Sequence, residues 1–273
     1  MRNLLWLLLG WLVGSPLSAA TVDTLSVRSG SMGKNVRVIV MAPDGAKLKD
    51  GPRFPVLYLL HGHDGDATSW LSVQPDLARM AERDGIVVVC PETGNNWYWD
   101  SPKDPSVRYE TFVGSELPAY IDSRFRTRAD RSGRAITGLS MGGHGAMWLS
   151  MRHKDTFGAA GSTSGGLDIL PFPDNWNMKD LLGEKASNEK AWEEHTAINQ
   201  IDRIQNGDLA IIIDCGYGDF FFDVNNRFHA RLLERGIDHD YLVRPGGHNV
   251  PYWNNALDYQ WLFFRKFFDR AAK

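Results

Sequence analysis

The sequence predicts an α/β fold in which helices cover both faces of a mostly parallel β-sheet. Several strand-length runs are apolar at every position, as strands are when both faces of a parallel sheet are buried. Between these runs lie segments whose apolar residues recur with helical period, so strands and helices alternate along the chain. The 273 residues contain no internal repeat, low-complexity tract or linker. One domain is therefore the simplest organisation.

The first twenty residues have the pattern of a targeting segment. Arg2 gives a positively charged start, an apolar stretch of ten residues covers 4–13, and Ser18-Ala19-Ala20 offers a small-residue cleavage site. A membrane-spanning helix needs about 20 apolar residues. We therefore expect cleavage after Ala20 and export of residues 21–273 to the periplasm or the medium, without a stable membrane anchor. An uncleaved anchor is the alternative.

The predicted elements follow in a regular order. Two alternating runs between residues 24 and 43 predict a pair of strands joined at Gly30–Gly33. Further strands are predicted at 54–62, 85–92, 134–140, 159–166, 209–216 and 239–247. Helical periodicity is found at 67–84, 110–125, 144–153, 225–236 and 256–268.

The segment 167–200 interrupts this alternation. It begins with prolines beside aromatic residues and continues with charged helix-forming residues. Long insertions between core strands lie at the loop end of a sheet, where functional groups collect. We therefore expect this segment to form a small cap or rim over the functional site.

Charge and cysteine content narrow the function classes. The net charge is -3 and acidic and basic residues are interspersed, so no basic stripe indicates a nucleic-acid partner. The two cysteines, Cys90 and Cys215, each follow an apolar strand-like run. Because those strands are not expected to be neighbours, we expect two buried thiols rather than a disulfide.

The segment Gly138-Leu139-Ser140-Met141-Gly142 matches the pattern G-x-S-x-G. In that pattern a serine nucleophile occupies a sharp turn between a strand and a helix, and both elements are predicted here. Side chains two residues to either side of the serine would collide within the turn, which explains the two glycines. Ser140 is therefore the predicted nucleophile. A small-residue packing site on a helix is the alternative.

A serine hydroxyl needs a base, because at its ordinary pKa it is a poor nucleophile. In α/β-hydrolases the chain order is nucleophile, acid, histidine. His248 follows the last predicted strand and is the predicted base. The acid is expected after the preceding strand, where Asp219 is preferred because a loop carboxylate can reach the histidine Nδ1–H and hold its tautomer. Asp214 and Asp223 are the other candidates.

Two backbone N–H groups are predicted to hold the oxyanion that develops during acyl transfer. One belongs to Met141, directly after the nucleophile, and the other to His63, in the loop after the strand at 54–62. That loop, His-Gly-His-Asp-Gly-Asp at 61–66, also resembles a metal-binding H-x-H-x-D-H motif. The match fails at Gly65 and Ala67, so we predict neither a metal nor a cofactor.

Aromatic residues cluster in the loop 94–102 and in the insertion. Trp97, Tyr98, Trp99 and Trp176 are predicted to line the substrate pocket, because stacked rings bind sugars and phenolic acyl groups well. The alternative is that some of them anchor their loops in the core. The first interpretation predicts a carbohydrate ester as substrate.

Taken together, these motifs resemble the esterase D, or putative esterase, family of α/β-hydrolases, which includes S-formylglutathione hydrolases, feruloyl and acetylxylan esterases, and mycolyltransferases. The likeness runs from about residue 35 to the C-terminus and includes YLLHGHDGDATSW, PETGNNWYWDSP, ELPAYIDSRFRT, GLSMGGHGAM, DCGYGDFFFDVNNRFHARL and PGGHNVPYW. The resemblance implies the catalytic and oxyanion roles given above. Departures occur at Glu92-Thr93-Gly94, where the family commonly has Asp-Gly-Gly, and at His63, where it often has Tyr or Phe.

These observations predict a secreted serine carboxylesterase that hydrolyses short-chain or aryl acyl esters, on carbohydrate or on another small alcohol. The export segment argues against the cytosolic glutathione-thioester branch of the family. An acyltransferase of the same fold is one alternative, in which an alcohol replaces water. A non-catalytic binding module is the alternative from another class.

Overall fold

The computed structural model describes residues 19–270, and its eight strands form a single sheet. Apart from Ala19 and Ala20, the predicted targeting segment lies outside the described residues. The strands are β1 Thr21–Ser29, β2 Lys34–Ala42, β3 Val56–Leu60, β4 Val87–Pro91, β5 Arg134–Gly138, β6 Ala159–Thr163, β7 Ala210–Gly216 and β8 Asp240–Arg244.

The strand order is β1-β2-β4-β3-β5-β6-β7-β8. β1 and β2 form an antiparallel hairpin, β2 pairs antiparallel with β4, and all other pairs are parallel. β3 lies between β4 and β5, so the chain continues to one side of β3 and then crosses to the other. In open α/β sheets such a switch point leaves a crevice beyond the carboxyl ends of the two strands. The loops after β3 and β5 meet at this crevice.

Helices cover both faces of the sheet, as predicted. They are α1 Ser69–Val73, α2 Leu77–Asp84, α3 Tyr109–Thr111, α4 Leu117–Arg124, α5 Met141–Arg152, α6 Met178–Leu182, α7 Glu189–Glu194, α8 Phe222–Glu234 and α9 Val250–Arg270. Within residues 19–270, no helix combines the length and the apolar character needed to cross a bilayer.

Two predicted helices are interrupted. The segment 67–84 divides into α1 and α2, because Pro75 forces Gln74 into extended backbone with φ of -131°. The segment 110–125 contains a π-helical turn at Phe112–Glu116 between α3 and α4.

Two apolar layers enclose the sheet. Along β3, Tyr58 and Leu60 belong to the layer that includes α5, whereas Leu57 and Leu59 face the layer that includes α9. This alternation is the period of two that a strand imposes on its side chains. All positions of α5 from Met141 to Met151 are buried, so the helix that begins directly after the predicted nucleophile is enclosed in the core.

Both cysteines are buried and unpaired. Cys90 lies on β4 and Cys215 on β7, and three strands separate β4 from β7 in the sheet. Burial raises the pKa of each thiol well above its ordinary value, so neither is a reactive nucleophile at neutral pH.

Candidate active site

Ser140 occupies the sharp turn between β5 and α5. Its φ and ψ of 55° and -119° are costly for a residue with a side chain. The turn is held by a hydrogen bond of 2.9 Å from the Ser140 N–H to the Thr163 carbonyl oxygen. A Cβ on Gly138 would lie 2.5 Å from the backbone of Gly142, and one on Gly142 would overlap the Leu60 carbonyl oxygen. Both glycines are therefore required by close backbone approach.

The loops after β5, β7 and β8 bring Ser140, Asp219 and His248 into one hydrogen-bonded line. His248 Nε2 lies 2.9 Å from Ser140 Oγ, and His248 Nδ1 lies 2.9 Å from Asp219 Oδ2. The Asp219 side chain has no solvent exposure, and its Oδ1 accepts a hydrogen bond of 2.8 Å from the Phe221 N–H. A carboxylate fixed in this way holds the proton on Nδ1 and leaves Nε2 free to accept the serine proton.

The two other candidate carboxylates lie elsewhere. Asp214, at the end of β7, is fully buried, forms an ion pair with Arg244 and accepts a hydrogen bond from the Tyr252 hydroxyl. Asp223 is exposed in the first turn of α8. Asp214 therefore joins β7 to β8 and α9, whereas Asp223 faces water.

The two residues predicted to donate to the oxyanion are both close to Ser140: Met141 follows it in the chain, and His63 lies in the loop that passes beside it. Met141 is the first residue of α5, so no preceding carbonyl of the helix accepts from its N–H. His63 follows Gly62, where an added Cβ would lie 3.4 Å from Ser140 Cβ. The loop after β3 thus runs directly beside the serine, and His63 and Ser140 line the same cavity.

In the loop 61–66, the His61 and Asp66 side chains bond to other protein groups and are not free to bind a metal. His61 is buried, its Nδ1–H donates to the Gly62 carbonyl at 2.8 Å, and its Nε2 accepts from the Thr93 N–H at 3.1 Å. Burial lowers the pKa of His61, so the ring is neutral at neutral pH. Asp66 accepts from Thr68 and pairs with Arg37. Across residues 19–270, no three His, Cys, Asp or Glu side chains gather in a metal-binding arrangement.

A cavity of about 540 Å³ opens onto Ser140 and His248. Part of its lining is polar and consists of Asp64, Asp66, Thr68, Ser69 and Ser72. Another part is apolar and consists of Val73, Leu139, Trp176, Phe220, Val250 and Trp253. Two acidic residues and no Lys or Arg are among the described residues that line this cavity.

The structure places three of the four predicted substrate-binding aromatics in the core. Trp97, Tyr98 and Trp99 are at most 1% exposed and do not line the cavity. Their polar atoms have internal partners: the Tyr98 hydroxyl donates to the His61 carbonyl, and Trp99 Nε1–H donates to His144 Nε2. These contacts turn the rings inward, so the prediction is corrected for this loop.

Trp176 does line the cavity, together with an aromatic residue that the sequence analysis missed. Phe220 is 54% exposed, stacks on Trp176 at 5.8 Å between ring centroids, and lies 4.2 Å from the His248 ring centroid. Its position directly after the predicted acid, Asp219, was the available signal. The insertion that carries Trp176 runs from β6 to β7 and contains α6 and α7.

Backbone conformations that are costly for residues with a side chain concentrate around this cavity. Seven non-glycine residues among those described have positive φ: Asp64, Trp97, Tyr98, Ser140, Ser164, Trp176 and Asn177. All lie in the loops at the carboxyl end of the sheet or in the insertion. Such conformations persist only where the surrounding contacts hold them.

Comparison with known protein sequences identifies relatives that are named as esterases or acyltransferases. A family model described as "Putative esterase" matches residues 29–264. Esterase Rv1288 of Mycobacterium tuberculosis is 28% identical over 247 residues, which cover 81% of this chain and 54% of that protein. This chain thus spans about half the length of that relative. Diacylglycerol acyltransferase/mycolyltransferase Ag85A of Mycobacterium gordonae is 29% identical over 289 residues, covering 90% of this chain and 82% of that protein.

Solved structures confirm the predicted α/β-hydrolase fold. A ferulic acid esterase superposes with a TM-score of 0.77 at 30% identity, covering 92% of this chain and 99% of the other. The fluorophosphonate-binding serine hydrolase FphF of Staphylococcus aureus superposes with a TM-score of 0.80 at 21% identity, covering 91% and 99%. The second likeness concerns the fold alone.

Proposed function

Because this chain belongs to the family described as "Putative esterase", we propose that it is a serine carboxylesterase with Ser140 as nucleophile, His248 as base and Asp219 as acid. The observation that carries the proposal is the continuous hydrogen-bonded line from Asp219 through His248 to Ser140. This line ends at a strained serine in the floor of a cavity. That is the geometry an activated nucleophile requires.

In the first half of the reaction, Ser140 Oγ attacks the ester carbonyl carbon and its proton passes to His248 Nε2. The oxygen that becomes negative is held by the backbone N–H groups of His63 and Met141. His248 then gives its proton to the departing alcohol, which leaves an acyl-serine. In the second half, His248 takes a proton from water as its oxygen attacks the acyl carbon. The bond between that carbon and Ser140 Oγ then breaks, His248 returns the proton to Oγ, and the carboxylic acid is released.

The lining of the cavity supports a neutral ester that joins an apolar acyl group to a polyhydroxylated alcohol. The rings of Trp176 and Phe220 offer an apolar surface for a short-chain or aryl acyl group. The polar part of the lining offers hydroxyl and carboxylate oxygens, which can accept hydrogen bonds from sugar hydroxyls. The carboxylate of Asp64 disfavours an anionic substrate, because the described lining residues include no Lys or Arg to offset it, whereas Asp66 is paired with Arg37.

Acyl transfer is the second candidate activity. The likeness to an enzyme named diacylglycerol acyltransferase/mycolyltransferase favours it. An alcohol bound by the polar lining residues of the cavity would replace water in the second half-reaction.

We propose that the reaction takes place outside the cytoplasm, since residues 2–20 have the pattern of a cleavable export signal. Ala20 is buried and its N–H donates to the Ala78 carbonyl oxygen, so cleavage after Ala20 removes this bond and the packing of the Ala20 side chain from the domain.

The test is release of p-nitrophenol from acetate to octanoate esters by the wild-type protein, Ser140→Ala and a matched control, Ser150→Ala. Ser150 is buried in α5, and its hydroxyl donates to the Met147 carbonyl oxygen within the same helix. We expect Ser140→Ala to lose several orders of magnitude in kcat/KM and Ser150→Ala to remain active. Equal activity of all three would refute the serine mechanism. Inactivity of the wild type on every ester would favour a binding module. Addition of a disaccharide measures transfer as acylated sugar.

A further inference from the structure

We propose that the His63 side chain is a positioning residue that holds the oxyanion loop, residues 61–66, against the turn formed by Trp176 and Asn177. His63 would then have two roles. Its backbone N–H would donate to the oxyanion, and its imidazole would hold that N–H in place through the contact with Asn177. The inference rests on the proposed function, because it assigns a role within the same site.

The contact spans two distant parts of the chain. His63 Nε2 lies 2.9 Å from Asn177 Oδ1, and His63 Nδ1 lies 3.2 Å from the Asp64 carboxylate. The ring is turned away from water, with 17% of the side chain exposed. Both ring nitrogens therefore face protein oxygens, one in the oxyanion loop and one in the insertion.

Each end of this bridge is itself anchored. On the loop side, the Asp64 N–H donates to Asn95 Oδ1 at 2.7 Å, and the Asn95 amide donates back to Asp64 Oδ1 at 2.8 Å. On the insertion side, Trp97 Nε1–H donates to the Trp176 carbonyl at 3.3 Å. The His63–Asn177 contact thus joins two segments that are each fixed to the loop 94–102.

The His63–Asn177 contact adds a hold from the insertion to the bonds that already fix the oxyanion loop to the loop 94–102. β3 ends at Leu60, so the His63 N–H lies beyond the hydrogen-bonded ladder that fixes the strand. An oxyanion donor is effective only if it is held in place before charge develops. Movement of the donor therefore affects the transition state more than the ground state and appears in kcat rather than in KM. A phenylalanine, frequent in the family at this position, fills the same space without a ring nitrogen.

A double-mutant cycle between His63→Phe and Asn177→Gly tests the proposal. Glycine removes the amide and retains the left-handed conformation that Asn177 adopts, with φ of 44°. The readouts are the rate of Ser140 labelling by a fluorophosphonate, which needs no natural substrate, and kcat and KM for p-nitrophenyl butyrate. Rates are normalised to the number of titrated active sites, so partial unfolding does not count as lost catalysis.

We expect each single variant to lower the labelling rate and kcat about fivefold, the effect of one side-chain hydrogen bond, with KM changed less than twofold. The double variant should be no slower than the slower single variant. Asn177→Asp retains an acceptor oxygen and should restore the rate. Asn188→Ala, in the insertion but outside the cavity, should leave both readouts unchanged.

Two results would overturn the inference. Additive losses in the double variant, or losses in KM instead of kcat, would show that the two side chains act independently, while the serine mechanism stands. Absence of labelling in the wild-type protein would refute the proposed function, and the positioning role with it. If Asn177→Gly does not fold, the cycle is completed with Asn177→Ala, which also lacks the amide, and in that background His63→Phe must add little further loss.

Discussion

Replacement of Asp219 by asparagine tests how the protein selects the tautomer of His248. The amide is isosteric with the carboxylate, but one of its two ends is an NH2 donor. One orientation would set that NH2 against the Phe221 N–H, which now donates to Oδ1 at 2.8 Å. Two opposed buried donors cost roughly 1–3 kcal/mol. The amide is therefore expected to keep its oxygen toward Phe221 and to place its NH2 at His248 Nδ1.

An NH2 group at Nδ1 reverses the polarity of the imidazole. The amide oxygen would remain 3.1 Å from Nδ1, but the NH2 at the nearer position, 2.9 Å away, favours Nδ1 as an acceptor. The ring proton then moves to Nε2, which lies 2.9 Å from Ser140 Oγ. In that tautomer Nε2 cannot take the serine proton. From the corresponding change in other serine hydrolases we expect kcat to fall on the order of 10⁴-fold, which is about 5.5 kcal/mol of transition-state stabilisation.

The assay is p-nitrophenyl ester hydrolysis per titrated active site, with the two rejected acids as controls. Asp223→Asn should change kcat less than twofold, because Asp223 is exposed in α8. Asp214→Asn should lower the free energy of unfolding by roughly 3 kcal/mol, since it deprives Arg244 of a buried partner, and should reduce kcat far less than Asp219→Asn. A kcat within tenfold of the wild-type value for Asp219→Asn would refute the reasoning.

Three further predictions concern neighbouring residues. Gly142→Ala should lower the free energy of unfolding by about 1–3 kcal/mol and slow acylation in stopped-flow assays, because its Cβ would overlap the Leu60 carbonyl oxygen; normal acylation would contradict this. Burial lowers the pKa of His144 in the folded protein to about 3, whereas the ordinary pKa in the unfolded chain is about 6.5. As the pH falls below 6.5, only the unfolded chain binds a proton at this residue, so the free energy of unfolding falls. Between pH 7 and pH 5 this residue lowers the free energy of unfolding by about 2 kcal/mol. Urea unfolding of His144→Gln should therefore show a pH dependence of the unfolding free energy that is smaller by this amount. An unchanged pH dependence would argue against a buried, neutral His144. Phe220→Ala should raise KM for aryl esters about fivefold but not for acetate, because the ring stacked on Trp176 is lost; equal KM changes for both esters would count against the aryl surface.

The sheet was predictable because buried parallel strands are uniformly apolar over their whole length. The ends of the strands were less predictable. The strand predicted at 134–140 ends at Gly138 in the structure, because the apolar run continues through Leu139 into the turn. The π-helical turn at Phe112–Glu116 leaves no local pattern. There a Cβ on Gly114 would lie 2.8 Å from the His153 ring, a contact between residues that the sequence gives no reason to pair.

In the candidate site, residue spacing predicted the features that the local backbone requires. It did not predict the direction of side chains whose orientation depends on contacts with residues far away in the sequence. The glycines around Ser140 are needed by the turn itself, so the motif was visible. The loop 94–102 reads equally as a pocket wall or as a core anchor. Its direction is set by Gly145, where a Cβ would overlap the Tyr98 ring, and by the acceptor that His144 offers to Trp99.

The concentration of left-handed residues around the cavity has a consequence for engineering. Each non-glycine residue in a sparsely populated conformation costs roughly 1–3 kcal/mol, so the catalytic end of the sheet is where a search for heat-resistant variants has the most to gain. Glycine at Trp176 or Asn177 would relieve that cost, but it would also remove a cavity wall or a tether of the oxyanion loop. Selection for thermostability alone is therefore expected to erode turnover, and screens on this protein should score both properties in every round.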